Sequence, residues 1–212
     1  MNVLLVAATP FEVQPFLDHY KIKEGSAYVN QLNVRVLITG VGMVATSFAM
    51  GRLNEPVDLA INAGIAGAFS TELKIGEVVV VEKDTFAELG AEDGEDFLSL
   101  PDLGFGENSF CSKTPGFLKP MLGELRGVDA LTVNTVHGHE ASIEKTLNRY
   151  HASIESMEGA AFFYACHHLN VPSLQLRAIS NRVERRNRAA WNIPLAIQSL
   201  NGTLINLVSN IL

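Results

Sequence analysis

Glu12, Glu158 and Asn181 each stand where an apolar run begins or ends, the positions at which side chains of an open α/β sheet can meet a ligand. Glu12 follows the run of residues 2–8, Glu158 opens an apolar helical stretch, and Asn181 follows the run of residues 173–179. A carboxylate so placed can take a proton from water or accept hydrogen bonds from hydroxyls. An amide can donate to a ligand acceptor but cannot serve as a general acid. Each residue also has a purely structural reading. Thr9, Pro10 and Glu12 have the spacing of a helix N-cap, a first-turn proline and a capping box. A carboxylate at a helix start suits the helix dipole, and Asn is an ordinary turn residue. Spacing alone leaves both readings open.

A fourth feature is basic. Arg182, Arg185, Arg186 and Arg188 crowd one short segment of a chain whose net charge is −7, so an anionic ligand group would be met there. Other spacings carry less. Residues 40–45, Gly-Val-Gly-Met-Val-Ala, formally fit a dinucleotide fingerprint, but they do not follow the first strand, and Asp58 precedes a strand where the fingerprint needs an acid at a strand end. Turn glycines explain them better. His137-Gly138-His139-Glu140 offers two imidazoles and an acid without a clear third ligand, and a loop leading into an acidic helix start accounts for it, so no metal is expected. His167 and His168 near a helix end suit the dipole. Cys111 and Cys166 have neither ligand spacing nor a disulfide framework.

The elements that must position these residues follow from periodicity. Residues 2–8 form an unbroken aliphatic run, the pattern of a strand buried on both faces. Strands are expected at 28–30 and 34–39, then a Gly40-Val41-Gly42 turn and a helix over 44–53. The next buried strand, 59–63, runs into Gly64-Ile65-Ala66-Gly67, a small-residue turn in which backbone can approach a ligand. A strand follows at 75–82. Residues 85–117, rich in acids, Gly and Pro, read as a surface excursion of the kind that supplies lids. Order resumes with a strand at 130–135, helices at 140–150 and 158–168, a strand at 173–179 and an amphipathic helix at 193–212. This alternation predicts a largely parallel sheet covered by helices, with ligand contacts at the carboxyl ends of strands.

Composition limits the function classes. With 212 residues, 47% of them hydrophobic and 18% charged, the chain can bury one full core, so a single domain over 1–212 is expected. No apolar run approaches the roughly 18 residues of a membrane span. The first residues lack a basic segment and reach Glu12 before an apolar signal core could be completed, which favours the cytoplasm. The acidic balance argues against general nucleic-acid binding, which needs basic surface to displace phosphate counterions.

Taken together, several segments resemble one family. Glu155-Ser156-Met157-Glu158-Gly159-Ala160-Ala161, followed by Val171-Pro172 and Arg177-Ala178-Ile179-Ser180-Asn181, is similar to the signature of the purine nucleoside phosphorylase and methylthioadenosine/S-adenosylhomocysteine nucleosidase superfamily. There a Met-Glu-x-x-Ala helix precedes an Arg-x-Ile-Ser-Asp strand end. Thr39-Gly40-Val41-Gly42 resembles that family's Ser-Gly-Ile-Gly turn, the segment from Asn62 to Gly67 its Asn-Thr-Gly-x-Ala-Gly turn, and Gly76-Glu77-Val78-Val79 its Gly-Asp-x-Val strand. The motifs fall in family order over nearly the whole chain.

The resemblance implies a three-layer αβα fold around a mixed, mostly parallel sheet, a purine nucleoside as small-molecule substrate, no cofactor, and a homo-oligomer in which a neighbour supplies pocket walls. Glu12 would be the general base that deprotonates water, and Glu158 would accept hydrogen bonds from the ribose hydroxyls with Met157 packed on the sugar. Ala66 and Gly67 would bring backbone to the ligand, and Val136 and His137 stand where the nucleosidases carry a Phe-Ile pair beside the base, a departure from the family pattern. Breaking an N-ribosidic bond passes through an oxocarbenium-like sugar, which a nearby carboxylate stabilises. The departure at position 181 is informative, because adenine-specific members carry Asp where this chain has Asn181. An amide donating to N7 or O6 suits a 6-oxopurine.

Beyond it, Ser180-Asn181-Arg182-Val183-Glu184-Arg185-Arg186-Asn187-Arg188-Ala189-Ala190-Trp191-Asn192-Ile193 resembles the menaquinone-pathway branch of the superfamily. That branch acts on an inosine-like nucleoside whose 5′ side carries an aryl carboxylate. Arg185 and Arg188 would then meet the carboxylate and Trp191 the aryl ring. The function implied is hydrolytic release of hypoxanthine from such a nucleoside. The alternatives are a nucleosidase of the methylthioadenosine type, a phosphate-dependent phosphorylase, and a nucleoside binder without catalysis.

Overall fold

The computed structural model describes residues 1–22 and 25–211. In chain order the elements are β1 (Asn2–Ala7), α1 (Pro10–Tyr20), β2 (Ser26–Val29), β3 (Leu32–Ile38), α2 (Met43–Gly51), β4 (Leu59–Ala68), β5 (Val78–Phe86), β6 (Gly90–Asp93), β7 (Asp96–Ser99) and β8 (Ser109–Cys111). There follow α3 (Lys119–Leu122), β9 (Arg126–Thr132), α4 (Glu140–Arg149), β10 (Ile154–Ser156), α5 (Gly159–Leu169), β11 (Ser173–Arg182) and α6 (Ile193–Asn210).

Strand periodicity sorts the core into two layers. On β1, Val3, Leu5 and Ala7 join the cluster built with Val13 and Phe16 of α1 and Ala196, Leu200 and Leu204 of α6. Leu4 and Val6 face the opposite way, toward Met50 of α2 and Phe162 of α5. Burial on both faces is what an uninterrupted aliphatic strand requires, and it gives the three-layer αβα arrangement expected. Among the described residues the main sheet has nine strands, ordered β10-β9-β5-β11-β4-β1-β3-β2, with β8 beside β5. Five of its pairings are parallel and four antiparallel. Because β10 bonds to both β9 and β4, the strands β4, β11, β5, β9 and β10 close upon themselves. The ends of β4, β10 and β11 therefore meet around one opening.

The first helix is held in place by its own sequence and by α6. Thr9 and Glu12 form the capping box, with Thr9 N–H and Oγ1 donating to Glu12 Oε2 at 3.0 and 3.1 Å. Pro15 lies inside α1, where it cannot donate to the helical ladder. One turn is bridged from outside: Phe16 N–H donates to Asn201 Oδ1 at 3.0 Å, and Asn201 Nδ2 donates to the Glu12 carbonyl at 2.9 Å. Asn201 is buried, so α6 fixes the backbone from which the Glu12 side chain extends.

Several expectations need correction. Residues 64–67 are not a turn but the second half of β4, which runs to Ala68 beside β11. Their small side chains serve close approach within the sheet, since a Cβ on Gly64 would fall 2.1 Å from Arg177 Nη1. Asn181 does not follow the last strand; it lies inside β11, past a register shift between Ile179 and Asn181. The 85–117 segment is not wholly a surface excursion. Thr85 and Phe86 complete β5, β6 and β7 form a hairpin turning at Gly94, and β8 buries Phe110 against Phe86 and Tyr164. The strand expected at 75–82 covers Val78–Phe86, and that expected at 130–135 covers Arg126–Thr132. The short β10 and α3 span too few residues to show a period. The final helix ends at Asn210, and Leu212 lies outside the described residues.

Candidate active site

A cavity of about 330 Å³ opens at the carboxyl ends of β1, β4 and β11, lined among others by Glu12, Ala66, Gly67, Val136, Met157, Glu158 and Asn181. Residues far apart in the chain thus share one wall. Its size falls within the range of small-molecule sites.

Glu12 reaches the cavity from the first turn of α1 and is 7% exposed. Its Oε2 is held by Thr9, and its Oε1 accepts from Ile65 N–H at 3.2 Å. The capping role and a place in the cavity coexist. Burial raises the carboxyl above its ordinary value; Arg177 opposes this, Glu158 reinforces it, and the backbone donors of Ile65 and Thr9 oppose it. A buried carboxyl held above the usual range is better suited to taking a proton near neutral pH than a solvated one.

Glu158 is the N-cap residue of α5. Its Oε1 accepts from Gly42 N–H at 3.0 Å, so the turn after β3 fixes its orientation, and its Oε2 lies 3.7 Å from Arg177 Nη1. Gly42 has φ 97, a conformation that favours glycine. Met157 precedes it on the cavity wall.

Arg177 is the centre of the polar layer beneath. It is 1% exposed, on the face of β11 that also carries Gln175. Its Nε donates to Gln175 Oε1 at 2.9 Å and its Nη2 to Asn62 Oδ1 at 2.6 Å. Gly64 leaves the space that lets the guanidinium lie between Glu12 and Glu158, since a Cβ there would also fall 2.9 Å from Glu12 Oε1. A charge removed this far from water is tolerable because its donors are matched to acceptors.

Asn181 presents an oriented amide. Its Oδ1 accepts from Ser180 Oγ at 2.8 Å, and one Nδ2 hydrogen goes to the Arg182 carbonyl at 2.9 Å. The second amide hydrogen remains free to donate. Beside it lies Glu155 of β10, whose Oε1 accepts from His137 N–H at 3.0 Å and whose Oε2 lies 2.5 Å from His137 Nδ1. The Glu155 hydrogen bond raises the His137 imidazole above its ordinary value, against the effect of burial. Thr146 Oγ1 lies 2.9 Å from His137 Nε2, so both ring nitrogens are engaged within the wall that also holds Val136.

The arginines are distributed differently. Arg185 does not line this cavity; with Arg186 it lines a neighbouring groove beside Glu140 and Glu144 of α4. Arg188 does not line it either, and lies 6.0 Å from the ring centroid of Trp191, with Arg186 at 5.6 Å. Trp191 itself is part of the cavity wall. Arg182 is bound to the carbonyls of Ser70 and Thr71.

In the sequence Arg177, Glu155 and Asn62 stand out only as motif letters and His137 only as a discounted metal ligand, while Gln175 and Asp84 singly carry no signal of a site. The available signal was polar residues at alternate positions, Gln175 and Arg177, in an otherwise apolar strand, which places both on one buried face.

The fold and this site define a class: the chain belongs to the Phosphorylase superfamily, whose family model matches residues 2–211. Its relatives include the futalosine hydrolase of Streptomyces coelicolor, 39% identical over 150 residues, a match that covers 69% of this chain and 63% of that protein. The futalosine hydrolase of Thermus thermophilus is 36% identical over 173 residues, covering 77% of this chain and 76% of its own length. The match thus spans just under two thirds of the S. coelicolor protein and about three quarters of the T. thermophilus one. Among solved structures, a Helicobacter pylori methylthioadenosine nucleosidase mutant with 5′-methylthioadenosine in its active site superposes with TM-score 0.85 at 18% identity, covering 99% of each chain. The native futalosine hydrolase of H. pylori gives TM-score 0.83 at 17% identity, covering 100% of this chain and 98% of that one. These two likenesses show the fold.

Proposed function

We propose that the chain is an N-ribosyl hydrolase that releases hypoxanthine from futalosine, using water as nucleophile. The observation that carries this reading is the meeting of Glu12, Glu158 and Asn181 in one cavity, in a chain whose relatives include futalosine hydrolases. Glu12 takes a proton from water as its oxygen bonds to the anomeric carbon. The bond from that carbon to the purine breaks, and its electron pair leaves with the base. Glu158 accepts from the ribose hydroxyls and stabilises the positive charge that develops on the sugar. Asn181 donates its free amide hydrogen to N7 or O6, which spreads the leaving charge; the departing purine then takes its proton from solvent, because an amide cannot supply one. The free amide hydrogen suits a base edge with acceptors.

Water is preferred to inorganic phosphate for an electrostatic reason. None of the described residues lining the cavity is Lys or Arg, and Arg177 beneath is committed to Gln175, Asn62 and Glu158. A phosphate nucleophile needs cations at the point of attack. For the 5′ tail, Trp191 offers an aromatic wall at the cavity, and Arg186 and Arg188 lie beside its ring to meet the carboxylate.

We further read the chain as one domain, acting in the cytoplasm as a homo-oligomer. Cys111 and Cys166 are both free, in keeping with a reducing compartment. Val44 and Phe48 form an exposed apolar pair at helical spacing on α2, and Val41 in the turn before it is also exposed and, like the exposed Phe11, lines the cavity. A second copy covering that surface would complete the mouth. The deciding experiment follows base release from futalosine, inosine, methylthioadenosine and S-adenosylhomocysteine, with and without phosphate. Phosphate-independent release of hypoxanthine, fastest from futalosine, is expected; phosphate-dependent turnover yielding ribose 1-phosphate, or preference for the adenine nucleosides, would overturn the reading.

A further inference from the structure

Behind the cavity lies a second layer of polar groups that are not part of its lining. Asp84 of β5 is fully buried. Its Oδ1 accepts from Thr132 Oγ1 at 2.8 Å and its Oδ2 from Gln175 Nε2 at 3.1 Å. Gln175 in turn accepts from Arg177 Nε at 2.9 Å, so a single amide connects a buried carboxylate to the guanidinium that lies between Glu12 and Glu158. The same group reaches α5 by a second route, because Thr132 Oγ1 accepts from Ala160 N–H at 2.7 Å in the first turn of that helix. Gly159 permits this packing: a Cβ there would fall 2.0 Å from Asp84 Oδ2 and 2.2 Å from Gln175 Oε1. Glu158, the cap of α5, is thereby tied to Asp84 through backbone as well as through Arg177.

A fully buried carboxylate is costly for a fold. Burial pushes the Asp84 carboxyl up to about 6, although Thr132, Arg177 and Gln175 all favour its charge. A fold does not need a charge at this point, since the two core layers on either side of the sheet are built from apolar side chains. What the carboxylate does supply is an acceptor that fixes the Gln175 amide with its oxygen toward Arg177. With Nε and Nη2 both engaged, the guanidinium plane is set, and its remaining edge faces the two carboxylates of the cavity.

We propose that Asp84, acting through Gln175, is a positioning residue for the reaction: it holds the Arg177 guanidinium, and with it the relative orientation of Glu12 and Glu158 toward the anomeric carbon. This rests on the nucleosidase reading of Glu12 and Glu158. The charged groups facing Glu12 are Arg177 of β11 and Glu158 at the head of α5, and the charged group facing Asp84 is Arg177. With the Asp84 charge removed, Arg177 acts undivided on Glu12 and favours its ionised form.

The test compares purified wild type, Asp84→Asn, Gln175→Met and the double variant in futalosine hydrolysis across pH, beside their melting curves. Both single variants are expected to lose about tenfold or more in kcat, the scale set by small misplacements of reacting groups, with KM little changed. The acid limb of kcat/KM moves to lower pH in Asp84→Asn, and the double variant falls no further than Gln175→Met alone. A merely structural role would lower the melting temperature while leaving kcat per folded site and the acid limb where they are in wild type, and would overturn the proposal. Failure of both single variants to fold would also overturn it and assign the pair to stability. A wild-type chain that releases no base from any nucleoside defeats the underlying reading; an active wild type with unaltered variants defeats only the role of Asp84.

Discussion

At the scale of single residues, the most consequential side chain for specificity is Asn181. Its orientation is fixed by Ser180 on one side and the Arg182 carbonyl on the other, leaving a donor for the base. Asn181→Asp replaces that donor with a group that accepts when ionised and, when protonated, can pass a proton to N7. Relative kcat/KM is expected to shift toward 6-aminopurine nucleosides by about tenfold or more, the range set by a well-placed polar contact to a base edge. Competition between inosine and adenosine measures it, and an unmoved ratio would place the base elsewhere. The types and order of Glu12, Glu158 and Asn181 were visible in the sequence. Arg177 is not legible there, because an arginine in an apolar strand shows its role only when the acceptors on the neighbouring strands are known. Charge clustering along the chain does not reveal which way each side chain faces: Arg185 and Arg186 line the groove beside α4, and Arg186 and Arg188 lie near Trp191.

At the scale of elements, α1 carries the proposed base, and α6 carries α1. The Asn201 amide satisfies Phe16 N–H and the Glu12 carbonyl within a helix that contains Pro15. Asn201→Ala strands both groups in a buried setting, and destabilisation by about 2–4 kcal/mol is expected. Because one of these groups belongs to Glu12 itself, kcat should fall in the protein that remains folded. Denaturant titration and kcat per folded site check the two parts separately; a stable, fully active variant would show that water replaces the amide. Period and burial made most strands and helices legible, since β1 and α6 have unbroken patterns longer than one turn or pleat. The region from Gly64 to Gly67 was misread because glycine is a turn signal in sequence and a close-approach device in a sheet. Here Arg177 and Asn181 on β11 occupy the space that side chains would fill. The three-residue β10 is invisible to periodicity, yet it brings Glu155 to the wall and closes the ring of strands.

At the scale of the whole molecule, no helix among the described residues is long and apolar enough to cross a membrane. The exposed apolar side chains of Val41, Val44 and Phe48 form the surface on which the proposed oligomer depends. Phe48→Glu is expected to yield a folded monomer with a raised KM, read by sedimentation and steady-state kinetics; wild type sedimenting as a monomer at assay concentration would contradict it. The central claim is that water, activated by Glu12, breaks the ribosyl bond. Glu12→Gln is the most direct probe, because Gln also fits the third position of a capping box and keeps α1 intact. A carboxyl raised in the folded state contributes stability that is complete below its unfolded value and lost as pH rises through its folded value. The share of wild-type stability that comes from Glu12 is therefore expected to decline from acid to neutral pH, a slope that melting curves across pH should not show in Glu12→Gln. The deciding measurement is phosphate-free hypoxanthine release from futalosine by wild type and Glu12→Gln over a pH series. A 10²–10⁴-fold loss in the variant is expected, with a wild-type rate that falls as acid protonates Glu12; undiminished turnover in the folded variant would reduce Glu12 to a helix cap and contradict the claim.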